Sequence, residues 1–524
     1  MKQAKKTDVY LWGLFILIFC LGVFLRFKGI YSQVSYIDEL LLLSRGELSF
    51  TDSAISPIPF WRYVYKTVSS FTNSYAPVQI FLGRLITGEK MFSFHGLKVL
   101  RTLSCVFSCL SLLLFGRLIY VYSGRRITAP LIFIFTIFCC QMIQWVNAKQ
   151  GHTYSAGVFG VLLTLWLFEG VILFRTSVYH LLFLFGAIFS GLIQYQVLLC
   201  TLSVSLVGLI YLKGNLKNGV SRSLGGALLV LFGFSVCSIF FLSVYKGHMM
   251  VPYWVHSFMA PETGVLLRFK MVAYKLVRVF VLAHLTYPMG ESLILGLVGM
   301  FLSLLGAFII VLPYSLTGQR VSLGLRASFL FLVIWTGAFL VRKTVISPTR
   351  HSMVYLPSIL FLELLGLKLI ASRLSKFKVQ YIFYLSSLAI ISLTVLNFPN
   401  YLNSSRETYS SSKIKELMDS FNVRDLVSWR FDSLKLRLFS PINSGCFVMD
   451  FHWGGDLNSL PSRPLLFIEG NSSGELLSLE EFKRTSKFVG QKVYEASSNY
   501  DFEPMSAVHY GKNLFKVWLL TPKK

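Results

Sequence analysis

Apolar runs of about 20 residues recur along the first 400 positions of this 524-residue chain, and they restrict its fold more than any other feature. A helix of that length crosses the hydrocarbon core of a bilayer. A backbone surrounded by lipid must close its own hydrogen bonds, so such runs are helices and not open strands. Composition agrees: charged residues make up 14% and hydrophobic ones 54%, where a soluble domain carries about a quarter charged. The expected fold is an all-α polytopic membrane domain of about eleven transmembrane helices. The spans fall near 10–27, 98–121, 128–146, 153–174, 179–194, 197–212, 223–244, 291–312, 327–341, 352–371 and 380–397. The two short spans flanking Gln194-Tyr195-Gln196 read as separate spans or as one bent unit. A further apolar piece, 276–288, reads as re-entrant or interfacial. The basic N-terminus followed by an apolar stretch lacks a small-residue cleavage site and is read as an uncleaved first helix.

Loop charges orient the spans. With the N-terminus inside, the inner loops carry Lys2, Lys5, Lys6, Arg125, Arg126, Arg175, Lys213, Lys217, Arg222, Arg320, Arg373, Lys376 and Lys378, and almost no acid beyond Asp8. The outer segments hold Asp38, Glu39, Glu47, Asp52, Glu89, Glu262 and Glu291. An odd number of spans then puts the C-terminus outside. The net charge of +26 lies mostly before position 400. The positive-inside rule and anionic head groups account for part of it. The outer loops are basic too, which an anionic substrate such as a phosphate would require. Nucleic acid is excluded as a partner, because the basic residues sit in short loops and form no stripe. Seven of the eight cysteines fall in apolar runs and read as small buried hydrophobes, with no metal-ligand spacing.

Character changes at position 400. Residues 1–399 form the membrane domain, whose first outer loop, 28–97, contains an aromatic and basic segment, 59–71, that reads as an interfacial helix. In residues 400–524 acids and bases nearly balance. The runs 446–451, 464–470, 492–497 and 513–520 read as strands, and 413–421 and 478–488 as helices. This is a small α/β domain on the outer face. No inverted repeat with paired broken helices, Walker motif or dinucleotide fingerprint is present.

The Asp38-Glu39 pair stands beside apolar sequence about ten residues after the first span. Partial desolvation there raises a carboxylate toward the range of a general base. The pair is followed by SYAPVQIFLGRLITG (74–88) and by Arg101-Thr102-Leu103-Ser104 at the opening of the second span. In order and spacing these elements resemble the GT-C glycosyltransferases, in the branch of the protein O-mannosyltransferases and the lipid A aminoarabinose transferase. Three further segments carry the likeness: AKQGHTYSAGVF (148–159), SGLIQYQVLLC (190–200) and SPTRHSMVYLPSILFL (347–362). The family's turn before the fourth span usually reads Gln/Glu-x-Arg-x-Tyr. Here Gln150 stands for the acid and His152 for the arginine, a departure that leaves no second carboxylate for catalysis or metal.

The resemblance implies an inverting transferase of the hexosyl or pentosyl type, with Asp38 as base and Glu39 as its partner or as the base itself. Its donor would be a polyprenyl-phosphate sugar. Its acceptor would be an envelope lipid, glycan or protein, reached from the outer face of a bacterial inner membrane whose lipids surround the spans. Arg350, His351, Tyr355, Arg342, Lys343, Lys149, His152, Tyr154, Arg62, Lys66, Arg84 and Arg101 are the candidates to hold the donor and its departing phosphate, arginine best because its fork matches phosphate oxygens. No metal site or other cofactor is indicated, although a divalent ion is compatible with the chemistry. Glu169 and Glu363 are expected toward the inner halves of their spans as helix-pairing or interfacial residues. A transporter or flippase of lipid-linked glycans, or a glycan polymerase, is the alternative. The first would show symmetry and mid-span charges, the second a large outer loop between late spans.

Overall fold

The computed structural model describes residues 2–31, 77–87, 94–174, 176–212, 219–245, 264–285, 293–312, 321–340, 350–373, 376–404, 420, 425–429, 446–449, 465–469, 500–510 and 513–522. They fall into two compact units, one of helices and one built on a sheet.

Every expected span coincides with helix. α1 is Lys2–Phe27, α2 Pro77–Thr87, α3 Phe94–Tyr122, α4 Ala129–Cys140, α5 Met142–Ala148, α6 Tyr154–Phe174, α7 Ser177–Ile193 and α8 Val197–Leu212. α9 is Gly219–Tyr245, α10 Val265–Ala283, α11 Leu293–Val311, α12 Leu323–Leu340, α13 Leu356–Arg373 and α14 Lys376–Ser404. Among the described residues eight helices are long and apolar enough to cross a membrane, or nine if the α4–α5 pair, bent by 43°, is one span. α7 and α8, at 17 and 16 residues, are short of the ~20 a bilayer asks for. The expected count of about eleven therefore falls to eight or nine by length. The protein is a multi-pass membrane protein.

Aromatic and aliphatic side chains join the helices. Phe115 of α3 stacks on Phe138 of α4 at 3.9 Å and on Phe361 of α13 at 5.1 Å. Helices in lipid gain most where small residues let backbones meet. α11 and α13 meet in this way at Gly306 and Gly366. A Cβ on Gly306 would run into the Leu362 carbonyl oxygen, and one on Gly366 into that of Leu302.

The span holding α4 and α5 breaks at Gln141, and the groups the break frees are taken up by neighbours. Arg26 of α1, fully buried, donates from Nη1 to the Cys139 carbonyl at 3.1 Å. Trp145 Nε1 donates to the Cys140 carbonyl at 3.2 Å. The Met142 amide donates to the Leu285 carbonyl at 2.9 Å, and the Gln141 side-chain amide to that of Ala283. Irregular backbone at membrane depth survives only with such partners. The end of α10 thus packs into the helical unit. Between those two residues, His284 Nε2 meets the buried Glu363 carboxylate of α13 at 3.0 Å. Glu169 of α6 accepts from the Gly324 amide at the start of α12 at 2.9 Å. Both acids pair helices.

The second unit holds a five-stranded sheet of order β2-β1-β3-β5-β4. β1 is Asp425–Trp429, β2 Cys446–Met449, β3 Leu465–Glu469, β4 Tyr500–Tyr510 and β5 Asn513–Pro522. β1 runs parallel to β2 and β3, whereas β5 is antiparallel to β3 and β4. Three of the four expected strands are present as β2, β3 and β5. The fourth, 492–497, and the helix at 478–488 lie outside the described residues, as does the helix at 413–421 apart from Ser420. β1 and β4 add to the expected set.

Gly306→Ala and Gly366→Ala should each lower stability by about 1–3 kcal/mol through overpacking against a carbonyl. Thermal unfolding in detergent measures it, and wild-type midpoints in both variants would contradict the close approach.

Candidate functional site

Three segments far apart in sequence meet around Tyr154, the first residue of α6. The turn Lys149–Thr153, which links α5 to α6, supplies His152, whose ring stacks on Tyr154 at 4.4 Å. A 3-10 turn, Arg350–Tyr355, precedes α13. Its His351 shares a hydrogen bond of 3.0 Å between Nδ1 and the Tyr154 hydroxyl, with the rings edge to face. The Arg350 guanidinium lies 5.6 Å from the Tyr154 ring centroid, a cation–π distance. The bend between α7 and α8 adds Gln196, whose Nε2 donates to the His351 carbonyl at 3.1 Å. Tyr154 is buried while His152, Arg350 and His351 are half-buried. One guanidinium and two imidazoles, each half-buried, thus gather at a partly exposed place around the buried Tyr154, and the described residues in contact with that ring include no carboxylate.

The opening of α3 ties this cluster to the end of α1. Ser104 donates to the His152 carbonyl at 2.9 Å and accepts from Gln79 Nε2 of α2 at 2.9 Å; Gln79 also donates to the Gly151 carbonyl at 3.2 Å. Arg101, buried, donates to the Ile30 carbonyl at 3.2 Å, and Thr102 shares a hydrogen bond with Tyr31 at 2.9 Å. Val78 and Leu82 of α2 pack against the buried cluster of Phe107, Ala156 and Ile193. Chain leaving α1 therefore starts at the same end of the helical unit as the cluster.

The sequence candidates divide accordingly. His152, Tyr154, Arg350 and His351 come together. Arg101 serves the end of α1. Tyr355, buried, stacks on Trp335 at 3.6 Å inside the core. Lys149 is buried, its ammonium 5.0 Å from the Trp145 ring centroid and 4.6 Å from that of Phe398. Asp38, Glu39, Arg62, Lys66, Arg342 and Lys343 lie outside the described residues, and so does the side chain of Arg84. Gln79 and Gln194 are additions. Their only signal in the sequence is an amide in a mostly apolar helix that also carries Arg84, and one at a break between two short helices. Among the described residues no group of three or more His, Cys, Asp or Glu gathers as a metal centre needs.

No protein-family model matches the sequence, and no curated protein matches it. Solved structures do. The Archaeoglobus fulgidus oligosaccharyltransferase, crystallised with zinc and sulfate, superposes with a TM-score of 0.52 at 10% identity, over 97% of this chain and 73% of that one. The same enzyme tethered to an acceptor peptide gives 0.48 at 11% identity, over 93% and 68%. The first likeness is one of fold. It shows a shared overall fold with that oligosaccharyltransferase and does not single out the O-mannosyltransferase branch.

Burial pushes the Lys149 ammonium, just past the broken span, down to about 7. Between there and the ordinary lysine value near 10.5, the unfolded chain holds more protons than the folded one. Stability should therefore rise with pH across that window and be lowest below it. Lys149→Met should flatten the rise in thermal midpoint between about pH 7 and pH 9.5, and an unchanged slope would contradict the buried charge.

Proposed function

We propose that the protein is a membrane glycosyltransferase that moves a sugar from a polyprenyl-phosphate carrier to an envelope lipid, glycan or protein. The reaction takes place at the outer face of a bacterial inner membrane. The N-terminus is then cytoplasmic, and residues 400–524 form an α/β domain on the outer side. One observation carries the reading: Arg350, His351 and His152 converge on Tyr154 at the end of the helical unit where the chain leaves α1. The GT-C fold supports it. Asp38 is seven residues beyond Tyr31, a separation that extended chain bridges over at most about 25 Å.

In this mechanism a carboxylate of the Asp38-Glu39 pair takes the proton of the acceptor hydroxyl as its oxygen attacks the anomeric carbon. The bond from that carbon to the carrier phosphate oxygen breaks, and its electron pair leaves with the phosphate. A single displacement inverts the anomeric centre. Charge grows on the phosphate in the transition state, so fixed cations stabilise it more than the ground state. Arg350 offers a bidentate fork, and the two imidazoles offer N–H donors. The polyprenyl tail would lie against the apolar helix faces.

A flippase of lipid-linked glycans is the second reading, favoured by the broken α4–α5 span and the buried His284–Glu363 pair, features that transport proteins use. Purified protein in detergent separates the two, since it can make product there but cannot show transport.

Asp38→Asn and Glu39→Gln are the test of the base. At normal protein levels, the variant that removes it should lose about 10²–10⁴-fold in turnover, and Arg350→Gln about 10²–10³-fold. Wild-type product from both carboxylate variants would remove the mechanism.

A further inference from the structure

The bend between α7 and α8 carries a feature that the transfer chemistry does not use. Gln194 and Gln196 are both buried. Gln194 Nε2 donates to Gln196 Oε1 at 3.0 Å, and Gln196 Nε2 donates to the His351 carbonyl at 3.1 Å. The direction of this chain is forced. A backbone carbonyl only accepts, so Gln196 must present its amide nitrogen to His351 and its oxygen to Gln194. The far end is held by packing alone, since the Gln194 side-chain oxygen is buried with no hydrogen-bond partner among the described residues. A Cβ on Gly157 of α6 would occupy the place of the Gln194 side-chain oxygen and press on Val354 Cγ1 at 2.8 Å. Glycine at 157 thus lets α6, the bend and the 3-10 turn close on one another. At the near end, His351 also holds the Tyr154 hydroxyl, so its ring is gripped from α6 and its backbone from the bend between α7 and α8.

We infer that Gln194 and Gln196 form a positioning clamp that sets Arg350 and His351 against Tyr154 for an anionic, phosphate-bearing lipid. This rests on the transferase reading above. The clamp need not touch the phosphate. It restricts the turn that carries the cations, and restricting a binding loop in its bound shape raises affinity by lowering the ordering cost.

The test compares Gln196→Met, which keeps length and loses the donor, with wild type. Two quantities are read on purified full-length protein in detergent. One is hydrogen–deuterium exchange at residues 350–355. The other is the concentration of polyprenyl monophosphate that gives half-maximal thermal stabilisation. Gln196→Met should speed exchange and require roughly tenfold more carrier, as loss of one hydrogen bond does. Equal exchange and equal carrier response in Gln196→Met and wild type would overturn the clamp, because a packing role tolerates methionine. A wild-type protein that the carrier does not stabilise would overturn the phosphate reading and this role with it, and the exchange data would still report the mechanical link. Should Gln196→Met not fold, Gln194→Met removes the donor that orients Gln196. It should shift both readings the same way by about threefold, and no shift would overturn the clamp.

Discussion

The contact between Tyr154 and His351 is the one on which the site depends. It joins the start of α6 to the turn before α13, residues 197 positions apart. A hydrogen bond alone contributes about 0.5–1.5 kcal/mol net, too little to fold two distant segments together. The helices supply that: α6, α8, α12 and α13 share one core in which Val158, Cys200, Phe331 and Ile359 are all buried. What the tyrosine adds is register. Its ring has His152 on one side, His351 at its edge and Arg350 over it, so a guanidinium and two imidazoles are set by one side chain that is itself buried.

Polar groups elsewhere in the helical unit obey the same constraint. In lipid a backbone break, an acid or a guanidinium must find its partner inside the protein. Arg26 and Trp145 cover the carbonyls freed at Gln141, the end of α10 covers the donors, and Glu169 and Glu363 pair one helix with another. These contacts hold scaffold. The Tyr154 cluster differs in gathering a guanidinium and two imidazoles, each half-buried, around one buried phenol.

Much of this architecture is legible in the sequence. Spans follow from length and hydropathy, which is why all eleven positions carry helix, but hydropathy does not tell that 128–146 breaks or that α7 and α8 fall short. Strand β4 escapes because Pro504 interrupts it, and proline argues against a strand interior. The sheet accommodates it with a register shift between Pro504 and Ser506. Residue type and a shared outer side select His152, Tyr154, Arg350 and His351 together, and the fold brings those four into contact. The same criteria also select Lys149, Arg101 and Tyr355, which are withdrawn from the partly exposed place by Phe398, Ile30 and Trp335 from remote segments. Gln79 and Gln194 escape helical periodicity, since Ser104, the partner of Gln79, is set by the fold, and Gln196 pairs with Gln194 two residues away across a bend.

The central claim is that the cluster around Tyr154 receives the phosphate of a lipid carrier. A polyprenyl phosphate bearing a photoreactive group beside its phosphate, crosslinked to the purified protein and mapped by mass spectrometry, tests it most directly. The account predicts labelling within residues 148–154, 194–196 and 350–355, competed away by unlabelled carrier. Competable labelling confined to other segments, with those three untouched, would contradict it.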